Sequence, residues 1–388
     1  DEPFIEAVVY YLSTLIESRT EAVLALFDPY LERSEVWDNR IGYCLTSLRD
    51  WRSDEAIRVL QNLFRRGRAL ERSDFYLHLL AHSNPAGGCQ ILRIYLEQRL
   101  DALLAKRQAE IEAAANDPQA AYRVDVPSRF LEDQELLGKY GVGDVMERAI
   151  RECPEAVIEH ILPWFVQATV ALGTSYPEDS YPFEPVFSMH WYGDHISEGP
   201  TFARHVAQAL QHLAKTDPSA FRAIASRLAE VEALAVQRVL VEAYLSDPKT
   251  YADDIFDYLT GDARRLHVGE FMENSYYDSQ RFYAAVFPHI DPVRRLVLEE
   301  IILNLQPEWE QRSLGHRGVT QLRFLQCAPR ELLSEPTRRK LMELERKFPG
   351  VQIHVPRGAV GGVVGPPISE DAQAKMSDDA WLGAMRKY

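Results

Sequence analysis

Apolar residues recur along this chain at helical spacing, in blocks broken by short turns, from Phe4 to Phe348. In residues 3–17, Phe4, Val8, Tyr11, Leu12 and Leu15 fall on one face. In 20–33, Val23, Leu24, Phe27 and Leu31 do the same, and 35–50 reads as a third helix. The pattern predicts further helices over 54–66, 73–81, 90–116, 128–140 and 143–172. After a gap it resumes over 201–215, 218–229, 231–246, 249–260, 270–286, 292–305 and 336–348. Asp217-Pro218, Asp247-Pro248 and Asp291-Pro292 punctuate the second half. Proline cannot continue a helix but fits its first turn, so each pair marks where one helix ends and the next begins.

Helix pairs joined by short turns cannot bury their apolar faces alone and must stack on their neighbours. The expected fold is therefore all-α, an irregular α-solenoid of HEAT/TPR-like helix pairs. The Asp-Pro turns are 30 and 44 residues apart, which excludes a strict repeat. Four parts are expected: helical repeats over 1–172, an aromatic and proline-rich loop over 173–200, further repeats over 201–350, and a Gly/Pro segment with a final helix over 351–388. Within the first part, Asn84-Pro85 and Gly87-Gly88 read as a turn, and Lys106–Ala115 as the projecting polar end of a long helix. Pro163 should kink or restart its helix. In the last part, 351–355 reads as a short strand and Ser377 as the cap of the final helix.

The 173–200 loop concentrates the candidate binding chemistry. Tyr181, Phe183, Phe187, Trp191 and Tyr192 are large aromatics on a stretch without helical period, and exposed Trp and Tyr make effective partner anchors. The competing reading is that the loop folds back and fills a groove of the stack. A basic group, with Arg65, Arg66 and Arg68 at its centre, is a second candidate partner surface. Residues 309–349 carry nine Lys and Arg against five Asp and Glu, a second local excess. The whole chain carries a formal charge of −15, which disfavours general nucleic-acid binding.

Candidate chemistry is sparse. His190, Asp194 and His195 lack the ligand number and spacing of a zinc site, so no metal is assigned. The glycine run 358–365 is followed by prolines instead of the Lys of a phosphate loop, so no cofactor is assigned. No G-x-S-x-G elbow is present, and no catalysis is expected within this chain. Cys44, Cys89, Cys153 and Cys327 stand singly among apolar neighbours, as expected of reduced, buried thiols in the cytoplasm. No run approaches the length needed to cross a bilayer. The start at Asp1, inside a helical pattern, suggests a piece of a longer protein.

Three blocks carry a resemblance: Gly315–Leu325 (GHRGVTQLRFL), Leu341–Pro349 (LMELERKFP), and Gly362–Ile368 continuing through Met376-Ser377-Asp378 to Trp381-Leu382. Together they resemble the helical region downstream of the ATPase in large bacterial STAND (NACHT-like) NTPases, several of which act in antiphage defence. The resemblance covers about residues 310–388 and, upstream, only the architecture. It implies a sensor or scaffold region that binds a protein partner, a phage protein among the candidates, and contacts the remainder of its parent chain. The alternative is an oligomerisation scaffold without ligand recognition, and a third reading is a metal-dependent hydrolase in the 173–200 loop. The Walker lysine and effector motifs of that family are absent here, so any nucleotide binding would lie outside this chain.

Overall fold

A computed structural model describes residues 2–31, 33–67, 72–115, 136–137, 141–174, 180–188, 201–270, 274–313, 315–356 and 376–377. Its helices are α1 Glu2–Leu15, α2 Thr20–Phe27, α3 Glu35–Leu45, α4 Asp54–Arg65, α5 Ser73–Ser83, α6 Pro85–Ala114, α7 Gly141–Glu152 and α8 Leu162–Leu172. The second half adds α9 Phe202–Thr216, α10 Pro218–Leu228, α11 Leu234–Tyr244, α12 Ala252–Gly261, α13 Tyr277–Val286, α14 Pro292–Asn304, α15 Val319–Cys327 and α16 Glu335–Lys347. The fold is all-α. Among the described residues the only β pairing is two isolated bridges, Thr174 with Phe183 and Glu270 with Asn274.

Each helix packs on its near neighbours along the chain. α1 to α4 interlock, α4 leads into α6, and α5, α6 and α7 pack together. α7 then meets α9. From there α9, α11, α13 and α15 follow one another in one row, with α10, α12 and α14 packed beside them. Buried apolar side chains run as one continuous cluster from Ile16 to Leu344, with Trp51, Trp164 and Phe221 among its fully buried members. Burying each such side chain contributes about 1.5–3 kcal/mol.

Acidic side chains start many of these helices. Asp217 accepts from Ser219 N at 3.1 Å and Ala220 N at 3.0 Å at the head of α10. Asp291 accepts from Val293 N at 2.8 Å and Arg294 N at 3.0 Å at the head of α14. Both have Pro at the first helical position, as the Asp-Pro reading expects. Asp247 instead accepts from Thr250 N within a turn, so α12 starts at Ala252 rather than 249. Two buried glutamates cap from a distance. Glu310 accepts from Gly318 N and Thr320 N, both at 2.6 Å, at the head of α15. Glu299 accepts from Ser334 N at 2.9 Å and Thr337 Oγ1 at 2.5 Å at the head of α16.

The structure departs from the periodicity in places with identifiable causes. α6 begins at Pro85, because Asn84 accepts from Gly87 N at 2.9 Å and so makes a cap where a turn was expected. Gly87 fits inside that helix by close approach: a Cβ there would lie 2.8 Å from Ile57 Cδ1. Pro29 converts the end of α2 into a single 3₁₀ turn over Asp28–Tyr30. α3 stops at Leu45 rather than 50. Residues 270 and 274–276 are not helical, since Glu270 and Asn274 exchange backbone hydrogen bonds of 2.9 and 3.0 Å. Pro163 follows a π-helical turn over Val157–Ile161, its missing N–H relaxing the register before α8. The outer part of α6 is exposed, as its polar composition predicts. Residues 351–356 form no strand and are held singly, by Asn274 Nδ2 donating to His354 O at 3.0 Å and Gln326 Nε2 to Val351 O at 3.2 Å. The expected 128–140 helix, apart from 136–137, lies outside the described residues, as do the glycine run and all of 357–388 but 376–377.

Asp217→Ala and Asp291→Ala should each lower the denaturation midpoint, with additive effects when combined, because they release cap donors in separate turns. Chemical denaturation of the two single variants and the double variant measures this.

Candidate interaction groove

The row α9–α11–α13 carries a polar groove of about 340 Å³, lined by Arg204, Ala207, Gln208, Gln211, Glu242, Tyr277 and Arg281. Its construction follows from helical spacing. Arg204, Gln208 and Gln211 stand at i, i+4 and i+7 on α9, opposite the buried Val206 and Leu210. Tyr277 and Arg281 stand at i and i+4 on α13, and Glu242 comes from α11 between them. Gln211 Nε2 donates to Glu242 O at 3.0 Å, and the Arg281 guanidinium pairs with the Glu242 carboxylate. Guanidinium forks, amides and a phenol in one depression suit the carbonyls and carboxylates of a polypeptide partner.

A buried ionic cluster holds these walls. Arg238 of α11 has no exposed surface. Its Nε donates to Asp278 Oδ2 at 3.0 Å, its Nη1 to Ser188 O at 2.8 Å, and its Nη2 lies 3.3 Å from Glu270 Oε2. Asp278, itself fully buried, places its other oxygen 3.3 Å from Arg281 Nη1. The chain of charges thus runs from the core to the groove. Gln237, beside Arg238, is also satisfied: its Nε2 donates to Leu228 O and Val231 O, and Tyr258 Oη donates to its Oε1 at 2.8 Å.

Glu184 lies against this cluster and starts the turn Pro185–Ser188. Its Oε2 accepts from Phe187 N at 2.8 Å, and its Oε1 lies 2.7 Å from Ser188 Oγ. Burial pushes its carboxyl up to about 8, against the downward pull of the Phe187 N–H, the Ser188 hydroxyl and Arg238. His205, on the inward side of α9, is pulled down to about 4, chiefly by burial, and is neutral at pH 7. Burial also pushes the Cys44 and Cys327 thiols up to about 12, which leaves them poor nucleophiles.

The aromatic loop is where the expected anchors must be corrected. Tyr181, Phe183 and Phe187 are each only 2% exposed. Pro182 O accepts from Leu234 N at 3.0 Å, and Phe183 exchanges two backbone hydrogen bonds with Thr174. Phe187 packs edge-on against Trp164 and Phe165. These three side chains therefore fill the stack and offer no surface to a partner, in keeping with the fold-back alternative. Trp191 and Tyr192, together with His190, Asp194 and His195, lie outside the described residues.

The basic group is also partly internal. Arg66 Nη2 lies 2.6 Å from Asp38 Oδ1, and since Asp38 is buried this pair ties α4 to α3. Arg58 pairs with Asp28 and Glu55. Arg65 is exposed, and Arg68 lies outside the described residues. The groove residues were missed by sequence reasoning. The i, i+4, i+7 run of Arg204, Gln208 and Gln211 was the available signal, as were two polar residues, Gln237 and Arg238, inside the apolar run of α11.

No family model, no curated protein and no solved structure matches this chain. Among the described residues no helix is long and apolar enough to cross a membrane.

Two outcomes follow from the cluster. Arg238→Ala should cost about 3–5 kcal/mol, because it strands Asp278 and Glu270 as buried charges, and urea denaturation measures it. Glu184, with its folded pKa raised, favours the fold below about pH 4.5 and loses that contribution as pH rises through about 8. Glu184→Gln keeps the hydrogen-bonding groups without the charge, so the variant should lose less stability than the native chain between pH 6 and 9. Thermal unfolding across that pH range measures the difference.

Proposed function

We propose that this chain is a protein-binding helical-repeat region, an irregular α-solenoid of HEAT/TPR-like pairs that recognises a polypeptide partner through the α9–α11–α13 groove. The observation that carries this reading is the groove itself, with side chains from three successive helices in one row converging on it. A surface composed across neighbouring repeats suits an extended partner, and small shifts between repeats could carry binding to a distant part of a larger protein. The motifs in 315–382 support placing the chain in a bacterial STAND-type NTPase as its sensor or scaffold region, acting in the cytoplasm. In that setting a phage protein is the natural partner class.

A second reading, oligomerisation scaffolding, is favoured by one observation. α1 exposes Phe4, Val8 and Tyr11 along one stripe, with Phe4 70% exposed. Concentration-dependent sedimentation of the purified chain, abolished by Val8→Glu and Tyr11→Glu together, would favour that reading.

Arg204 and Gln208 are exposed, so Arg204→Glu with Gln208→Glu alters the groove without touching the core. Affinity capture from phage-infected and uninfected bacterial lysates compares this variant with the native chain. A protein enriched by the native chain after infection should fall at least about tenfold with the variant, a loss of about 1.4 kcal/mol. Equal capture by both, or none by either, contradicts the groove assignment.

A further inference from the structure

On α5, His78 and His82 stand one turn apart, at i and i+4, and both are exposed. Their ring centroids are 4.6 Å apart. His78 Nδ1 lies 2.9 Å from Asp144 Oδ2 of α7, and His82 Nδ1 lies 2.9 Å from the His78 carbonyl oxygen. A carbonyl and a carboxylate can only accept, so in each neutral ring the proton sits on Nδ1. That fixes the tautomer of both side chains and leaves the lone pair of each on Nε2. Two imidazoles at i and i+4, their rings 4.6 Å apart and each anchored through Nδ1, have the spacing of a two-histidine helical chelate. In metal sites the ligating histidine generally donates its other N–H to a carboxylate or a backbone carbonyl, and here one ring has each.

We propose that His78 and His82 bind a divalent transition-metal ion, of the Zn²⁺, Ni²⁺ or Cu²⁺ class that favours imidazole, through their Nε2 atoms. Among the described residues no three His, Cys, Asp or Glu side chains converge on one point. The protein therefore supplies two direct ligands and water fills the remaining positions, which makes the ion exchangeable. Asp144 is a positioning residue: it acts through His78, orienting the ring and fixing its tautomer. Since Asp144 belongs to α7 and both ligands to α5, the bound ion tightens the α5–α7 contact within the stack. The site is separate from the α9–α11–α13 groove and does not depend on that function.

Calorimetric titration of the full chain, stripped with chelator, uses ZnCl₂ and then NiCl₂ as probes. One ion should bind per chain, and His78→Ala and His82→Ala should each abolish that event. Asp144→Asn should weaken it roughly 10- to 100-fold while the far-ultraviolet spectrum is unchanged. As an independent measurement, electron paramagnetic resonance of the Cu²⁺-loaded native chain should show nitrogen ligation that His82→Ala reduces. Absence of binding by the native chain, or unchanged binding in both histidine variants, overturns the proposal. So does equal affinity of native and Asp144→Asn chains, which would leave Asp144 without a positioning role.

Discussion

The buried guanidinium of Arg238 is the constraint on which the second half of this structure depends. A charge without solvent is tolerated only when partners replace the water it has lost. Here the partners come from three separate stretches: Ser188 after the aromatic turn, Glu270 at the isolated bridge, and Asp278 in the first turn of α13. None of these stretches is adjacent in sequence to α11. Satisfying one side chain therefore fixes how the aromatic segment, α11 and α13 sit together. Apolar burial stabilises the stack, but it is non-directional and would tolerate several registers. The ionic cluster selects one.

The same cluster explains why the groove lies where it does. Asp278 is shared between Arg238 on the inside and Arg281 on the outside, and Arg281 continues to Glu242. The groove wall is the surface end of a core network. A comparable economy recurs at the helix starts, where buried Glu310 and Glu299 cap α15 and α16 from earlier segments. Each long-range cap ties one helix to an element further back, so local order and tertiary packing are set by the same hydrogen bonds. On the outer side the ties are weaker: Arg222 to Asp254 and Arg294 to Asp253 are solvent-accessible pairs, worth little individually.

The all-α class and many of the helices were legible because apolar spacing and Asp-Pro caps are local signals, as Asp217 and Asp291 illustrate. The start of α6 was not, because Asn84-Pro85 followed by two glycines has the composition of a turn. Glycine at 87 is explained by the close approach of the Asn84 cap side chain and of Ile57 from α4. The helix expected from 270 failed for a similar reason: Gly269 lets the backbone come within 2.5 Å of where its Cβ would be, and a bridge forms instead. Tyr181, Phe183 and Phe187 were legible as important but not as buried, since aromatic composition alone serves a plug and an anchor equally. The groove needed Glu242, Tyr277 and Arg281 brought together over distances that no local pattern encodes.

Arg238 couples the aromatic segment, α11 and α13 into one cooperative unit. Native-state hydrogen exchange of the full chain, compared with an Arg238→Met variant, tests it most directly. Faster exchange is expected in residues 182–188, 234–244, 268–270 and 274–281 together, with α3 to α6 unchanged. An effect confined to α11, or spread evenly over every helix, would contradict it.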